Sequence, residues 1–203
     1  MNMLIDPIRI FRAVVTNFIA YVSPTYYLAI TKQTGRGSSD TDPVEIADYF
    51  YKCFEDYISQ LSIPLAQETE FLKGKTLLEY GPGDTPGVAL VFYAFGAESV
   101  VLVDRFSMLK LNEQNQAIIT ALIDKLPGMQ KTRALEAFKV SGDVTSGFKE
   151  DVISYRTHPK GLSCLNESID LIYSRAVLEH VDDLDASFSD MYNALKPDGL
   201  AVH

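Results

Sequence analysis

Short apolar runs, each closing on an acidic or small polar residue, recur along the second half of this chain. Thr76, Leu77 and Leu78 run into Glu79, Ser99–Val103 runs into Asp104, and Ile169–Tyr173 runs into Ser174. Leu200, Ala201 and Val202 begin a further run. Their length and content of β-branched and aliphatic residues predict strands. Between them the period changes to that of a helix. Val88–Phe95 is apolar throughout and is closed by Gly96, a residue suited to a helix end. Residues near Asn112–Leu126 place Ile118, Ile119, Leu122, Ile123 and Leu126 on one face, and Pro127-Gly128 stops them. Gln130–Phe138 reads as a short helix. Leu184, Phe188, Met191, Tyr192 and Leu195 share a face of a later one, with Asp182 and Asp183 as its cap. Upstream, Asp42-Pro43-Val44-Glu45 opens a helix, with Asp42 as cap and Pro43 at the first position. Ile46, Tyr49, Phe50, Phe54, Tyr57, Ile58 and Leu61 follow at helical spacing, a core or lid stripe.

Strands alternating with helices predict an α/β fold. The expectation is a Rossmann-like, doubly wound, mostly parallel sheet with helices on both faces. One strand has two candidates. Phe138–Asp143 ends in an acid, whereas Asp151–Arg156 is richer in strand formers and ends beside Thr157.

Candidate chemistry concentrates in Lys75–Gly87. A strand followed by Gly81 and Gly83 and then a helix brings backbone close to a ligand and aims free helix N–H groups at it. The glycine pair alone fits an ordinary strand-to-helix turn as well. Asp104, however, falls 21 residues after Gly83, near the ~20-residue spacing of an acid that binds ribose hydroxyls. Ligands of such sheets bind beyond the carboxyl ends of the strands. Glu79, Asp104, Thr157 and Ser174 all stand at those ends.

Taken together, Leu-Glu-Tyr-Gly-Pro-Gly, Val-Leu-Val-Asp, Asp-Leu-Ile-Tyr-Ser-Arg-Ala-Val-Leu-Glu-His-Val and Leu-Lys-Pro-Asp-Gly resemble the class I S-adenosylmethionine-dependent methyltransferases. These motifs lie in that family's order over roughly residues 72–203. The resemblance departs at Thr85, where the commonest third glycine would fall, and Gly87 fits neither that pattern nor the dinucleotide one, which needs glycine at Pro86. The turn after Gly83 is therefore expected to have an unusual shape. In that family the third strand ends about a dozen residues before the fourth, which favours Asp151–Arg156 with Thr157 on the adenine side.

The resemblance implies roles for named residues. Glu79 would lie near the cationic methionine amino group, and the backbone of Gly81, Pro82, Gly83 and Asp84 would cradle the methionine part. Asp104 would accept from both ribose hydroxyls, with Arg105 and Phe106 flanking the adenine. Ser174 and Arg175 would line the floor near the sulfur. His180 would serve as base or as a pocket-shaping residue, since an unperturbed imidazole titrates near neutral pH. Methyl transfer from a sulfonium requires alignment and water exclusion rather than a metal; the acids around His180 read as helix caps, so no metal is expected. The resemblance also implies two closing strands after the fifth, which this sequence lacks, so the domain reads as truncated there. The acceptor is expected to be an oxygen or nitrogen of a small molecule or glycan. Two alternatives compete: a nicotinamide-dependent oxidoreductase, and a non-catalytic membrane-associated module.

Composition narrows this only slightly. Net charge is −9 and the isoelectric point about 4.8, which argues against a broad phosphate-binding surface and so against nucleic acid. Cys53 and Cys164 have no metal-ligand spacing and no secretory signal precedes them, so reduced thiols in a cytoplasm are expected.

Residues 1–70 read as an N-terminal helical arm or lid before a cofactor domain at 71–203. Ala13–Thr31 carries no charge and lies between Arg12 and Lys32. Thr16, Asn17, Ser23, Pro24 and Thr25 interrupt it, so it falls short of the ~20 apolar residues that span a bilayer. Tyr21, Tyr26 and Tyr27 suit an interface. Packing over the cofactor domain is preferred to peripheral membrane contact for this arm. Gly35–Asp40 is a loop by composition.

Overall fold

The computed structural model describes residues 7–23, 26, 27, 30, 42–64, 66–158, 162, 168–181 and 183–203. Cys164, Asp182, Pro24, Thr25 and the 35–40 loop lie outside them. The chain divides into two compact units, Met1–Ser38 and Ser39–His203. The first contains helix α1, Pro7–Val22.

The second unit is built on five strands: β1 (Thr76–Tyr80), β2 (Ser99–Asp104), β3 (Ile153–Thr157), β4 (Ile169–Ser174) and β5 (Leu195–Val202). Their order is β3-β2-β1-β4-β5, and every neighbouring pair is parallel. The sequence-predicted α/β doubly wound sheet is therefore present. Alternate residues of each strand face opposite layers. Leu77, Val100, Leu102, Leu171 and Tyr173 enter one core. Leu78, Val101, Val103 and Ile172 enter the other.

The first core is closed by α2 (Pro43–Gln60), α4 (Gly87–Ala94), α5 (Glu113–Lys125) and α6 (Gly128–Glu136). A short helix, α3 (Glu68–Leu72), leads into β1. The second core receives Met191 and Ala194 of α7 (Leu184–Ala194). The chain runs β1-α4-β2 and β2-α5-α6-β3 on one side, then starts outward again at β4. The switch between β1 and β4 is where a sheet of this kind opens a crevice at its carboxyl edge.

Helix α4 is buried along its whole length, because α2 covers it. Phe54 meets Phe92 edge-on at 5.1 Å, and Phe92 lies 4.6 Å from Tyr173 of β4. Such aromatic pairs add about 1 kcal/mol each beyond area burial. The two compact units divide between residues 38 and 39, and α2 supplies core residues to the sheet unit. Asp42 caps it through Val44 N–H at 2.8 Å, as its sequence predicts.

Two local expectations need correction. The α7 stripe of Leu184, Phe188 and Tyr192 does not face the sheet: these residues are 45%, 48% and 81% exposed. The helix is rolled so that Met191 and the small Ala194 approach the strands, which lets the backbone come close. Pro197-Asp198-Gly199, read as a turn before β5, lies inside β5, where the pairing with β4 shifts register between Ile169 and Leu171. The extra residues are absorbed as an irregularity of the ladder. The third strand is Ile153–Thr157, the choice favoured above. Phe138 makes only an isolated bridge to Phe148, and Asp143 caps a 3-10 turn through Thr145 N–H.

Candidate functional site at the carboxyl edge of the sheet

The turn after β1 is held against the tip of β2. Gly81 N–H donates to Val103 O at 2.8 Å. Gly81 and Gly83 have φ of 75° and 73°, the left-handed region that glycine enters without strain. A Cβ on Gly81 would strike the side chain of Val177, just past β4.

Asp104 is 7% exposed and accepts Phe106 N–H at 3.1 Å. Backbone N–H groups of Gly83 and Arg105 also bond to it. Burial raises its pKa, and these three donors act against the rise. A carboxylate offers about four acceptor positions, so capacity remains for sugar hydroxyls. Thr157 is paired with Asp104 in the β2–β3 register, and His158 N–H donates to Asp104 O at 2.9 Å. Arg105 lies over the Phe106 ring at 5.4 Å.

Glu79 lies on the α2-covered face of the sheet with Leu77, the face that Asp104 shares with Leu102. Tyr173 Oη donates to its Oε2 at 3.2 Å, and Ala89 N–H at the start of α4 also bonds it. Burial pushes its pKa up to about 8. Its neutral form is therefore favoured around neutral pH. Asp84 is buried, and its carbonyl accepts Asn115 Nδ2 at 3.0 Å and Lys110 N–H at 3.0 Å. Pro82 is buried between the two glycines.

The third glycine has a packing role. Helix α4 starts at Gly87, and a Cβ there would overlap the ring of Phe50 from α2. The irregular spacing noted in the sequence thus follows from close approach of α2 to the helix N-terminus. Thr85, where the commonest third glycine would stand, is buried at 1% exposure, and its hydroxyl donates to Asp84 Oδ1 at 3.1 Å.

Ser174 and Arg175 end β4 and diverge. Ser174 Oγ is 2.7 Å from His203 Nδ1 at the end of β5. Arg175 reaches α2 instead: its guanidinium donates to Asp56 at 3.0 Å and lies 5.7 Å over the Tyr49 ring. Tyr49 has its pKa pushed up to about 12, by burial first and then by the Cys53 thiol. Ala176 has φ of 54°, which re-aims the chain into the 3-10 turn Leu178–His180. His180 is exposed on that turn.

Three contributors escape a reading of motifs alone. Tyr155 Oη donates to Phe106 O at 2.7 Å and accepts Met108 N–H at 3.0 Å, fixing the loop after Asp104. Asn115, 1% exposed, bonds both Asp84 O and Lys110 O. His203 faces Ser174. Asn115 left a faint trace as a polar residue early in an amphipathic helix; His203 left none, because its neighbour is 29 residues away.

Residues 47–203 match the model of a methyltransferase-domain family. The chain belongs to that family. No curated protein matches it. Among solved structures, it resembles a putative S-adenosyl-L-methionine-dependent methyltransferase of Methanococcus maripaludis at 15% identity, over 81% of this chain and 64% of that one, with a TM-score of 0.43. A Mesorhizobium loti S-adenosylmethionine-dependent methyltransferase is 21% identical over 63% of this chain and 45% of that one, TM-score 0.35. A Haemonchus contortus phosphoethanolamine N-methyltransferase, solved with phosphomonomethylethanolamine and S-adenosylhomocysteine, is 22% identical over 66% and 27%, TM-score 0.36. The chain spans 45% and 64% of the first two structures. Family membership rests on the family model, not on these likenesses.

Proposed function

We propose that this chain binds S-adenosylmethionine at the carboxyl ends of β1, β2 and β4 and directs its methyl group to an oxygen or nitrogen of a small molecule or glycan. The observation that carries this reading is the joining of Asp104 to the N–H of Gly83. It supports a diol-binding carboxylate and a backbone cradle acting on one ligand. Asp104 would hold the ribose hydroxyls, and Arg105, Phe106 and Thr157 would border the adenine. Gly81, Pro82, Gly83 and Asp84 would hold the methionine part. Glu79, behind the cradle, would balance positive charge by releasing its proton. Ser174 and Arg175 would bound the sulfur side.

The cofactor supplies a methyl group already activated on a sulfonium. The residues of the chain then have three tasks: to align the acceptor in line with it, to keep water away and to take the acceptor's proton. The last task is assigned to His180, on the turn that leaves β4, with His203 as a second imidazole fixed by Ser174. The free buried thiol of Cys53 supports a reducing, cytoplasmic setting, and the exposed apolar residues of α1 support peripheral contact with a membrane.

Equilibrium dialysis with S-adenosylhomocysteine and with reduced nicotinamide dinucleotide tests the reading. Retention of the first alone is expected. Retention of the nicotinamide alone would replace the proposal with an oxidoreductase.

A further inference from the structure

Helix α1 presents an apolar face that its own unit leaves in solvent. Phe11, Val15, Phe18 and Val22 recur at i, i+4, i+7 and i+11, and Val14 and Tyr21 flank them. At 100° per residue these six fall within about a third of the helix circumference. Phe11 is 69% exposed, Phe18 66% and Tyr21 80%. The sequence puts the polar positions Arg9, Arg12, Thr16 and Asn17 elsewhere on the wheel and places no acid in the helix. Tyr26 and Ile30 beyond it are exposed as well.

Charge divides with the units. Residues 1–38 hold Arg9, Arg12, Lys32 and Arg36 against Asp6, a net charge of +3, whereas the remaining residues carry −12. A basic, aromatic, amphipathic segment is complementary in charge to an anionic lipid surface. Among the described residues no helix is long and apolar enough to cross a membrane; α1, at 16 residues, rises about 24 Å against a hydrocarbon core of about 30 Å.

We propose that α1 lies in the plane of an anionic bilayer surface, with Phe11, Val14, Val15, Phe18, Tyr21 and Val22 inserted at the headgroup boundary and the net positive charge of the segment attracted by the phosphates. This does not depend on the methyltransferase reading.

The test is co-sedimentation of the full chain with vesicles of phosphatidylcholine and of phosphatidylcholine:phosphatidylglycerol. The chain should pellet with the mixed vesicles, several-fold less with phosphatidylcholine alone, and less again in high salt. Phe11→Ser/Phe18→Ser should weaken binding by roughly tenfold or more. Arg9→Glu/Arg12→Glu should abolish the preference for the anionic lipid. Tyr192→Ser, on the exposed face of α7, should bind like the parent. Each variant should keep the parent's unfolding transition. No pelleting of the parent, or equal pelleting of the Phe11→Ser/Phe18→Ser variant, would overturn the proposal. So would a dimer of the parent, lost in that variant without any lipid binding, which would make the face's partner a second copy.

Discussion

Ser174 Oγ and His203 Nδ1 stand 2.7 Å apart at the tips of adjacent strands β4 and β5. Ser174 is buried at 2% exposure, so its hydroxyl holds the imidazole from within the sheet while Phe188 meets the ring at 6.2 Å from α7. Burial lowers the pKa of His203 below its ordinary value.

The sign of that shift gives a first prediction. A histidine that resists protonation when folded binds fewer protons than in the unfolded chain, so its contribution to stability weakens as pH falls through the ordinary histidine range. His203→Gln should remove that part of the pH dependence while leaving stability above pH 7 within about 1 kcal/mol. Thermal unfolding of both proteins between pH 5 and 8 measures it, and the His203 ring resonances should titrate below the value of a free histidine.

Glu79 supplies a second. Its folded pKa of about 8 lies above the ordinary carboxylate range, so the folded state retains a proton that the unfolded chain loses. Stability should fall as pH rises from about 4.5 to 8. Glu79→Gln should flatten that fall. Cationic S-adenosylmethionine should bind the parent with proton release near pH 7, seen as a dependence of the binding heat on buffer ionisation, and Glu79→Gln should abolish this.

Gly87 and Phe50 give a third. Gly87→Ala should destabilise the protein by about 1–3 kcal/mol, because the new methyl meets a packed aromatic ring. Adding Phe50→Leu should return part of that loss. Denaturant unfolding of the two single variants and the double variant measures the coupling, which should be at least ~0.5 kcal/mol.

Much of this arrangement was legible in the chain, for physical reasons. The strands β1, β2 and β4 announce themselves because parallel strands buried on both faces are short aliphatic runs, and the polar residues Glu79, Asp104 and Ser174 follow the runs directly. The helix at Glu113–Lys125 is signalled by Asn112, which caps it through Asn115 N–H at 2.9 Å. What sequence hides is any choice made by packing. Period alone cannot tell which side of α7 turns inward, since Leu184 and Met191 share the same stripe while Ala194 decides the roll. Nor can it show that Arg175 pairs with Asp56 across 119 positions, or that Gly87 packs against the ring of Phe50.

Tyr155 yields a fourth prediction. Its hydroxyl bonds both Phe106 O and Met108 N–H. Tyr155→Phe should cost about 1–2 kcal/mol of stability and weaken S-adenosylhomocysteine binding several-fold by loosening the loop proposed to border the adenine. Calorimetric titration of the folded variant separates the two effects.

The central claim is that the carboxylate of Asp104 and the Gly81–Gly83 cradle grip one adenosyl ligand. Isothermal titration of S-adenosylhomocysteine into the parent and into Asp104→Asn tests it most directly. The account predicts one site per chain in the parent, weakened by at least about tenfold in the variant, as expected when a charge-assisted acceptor of two hydroxyls is replaced by an amide. Equal affinity in the two folded proteins, or no binding to the parent, would contradict it.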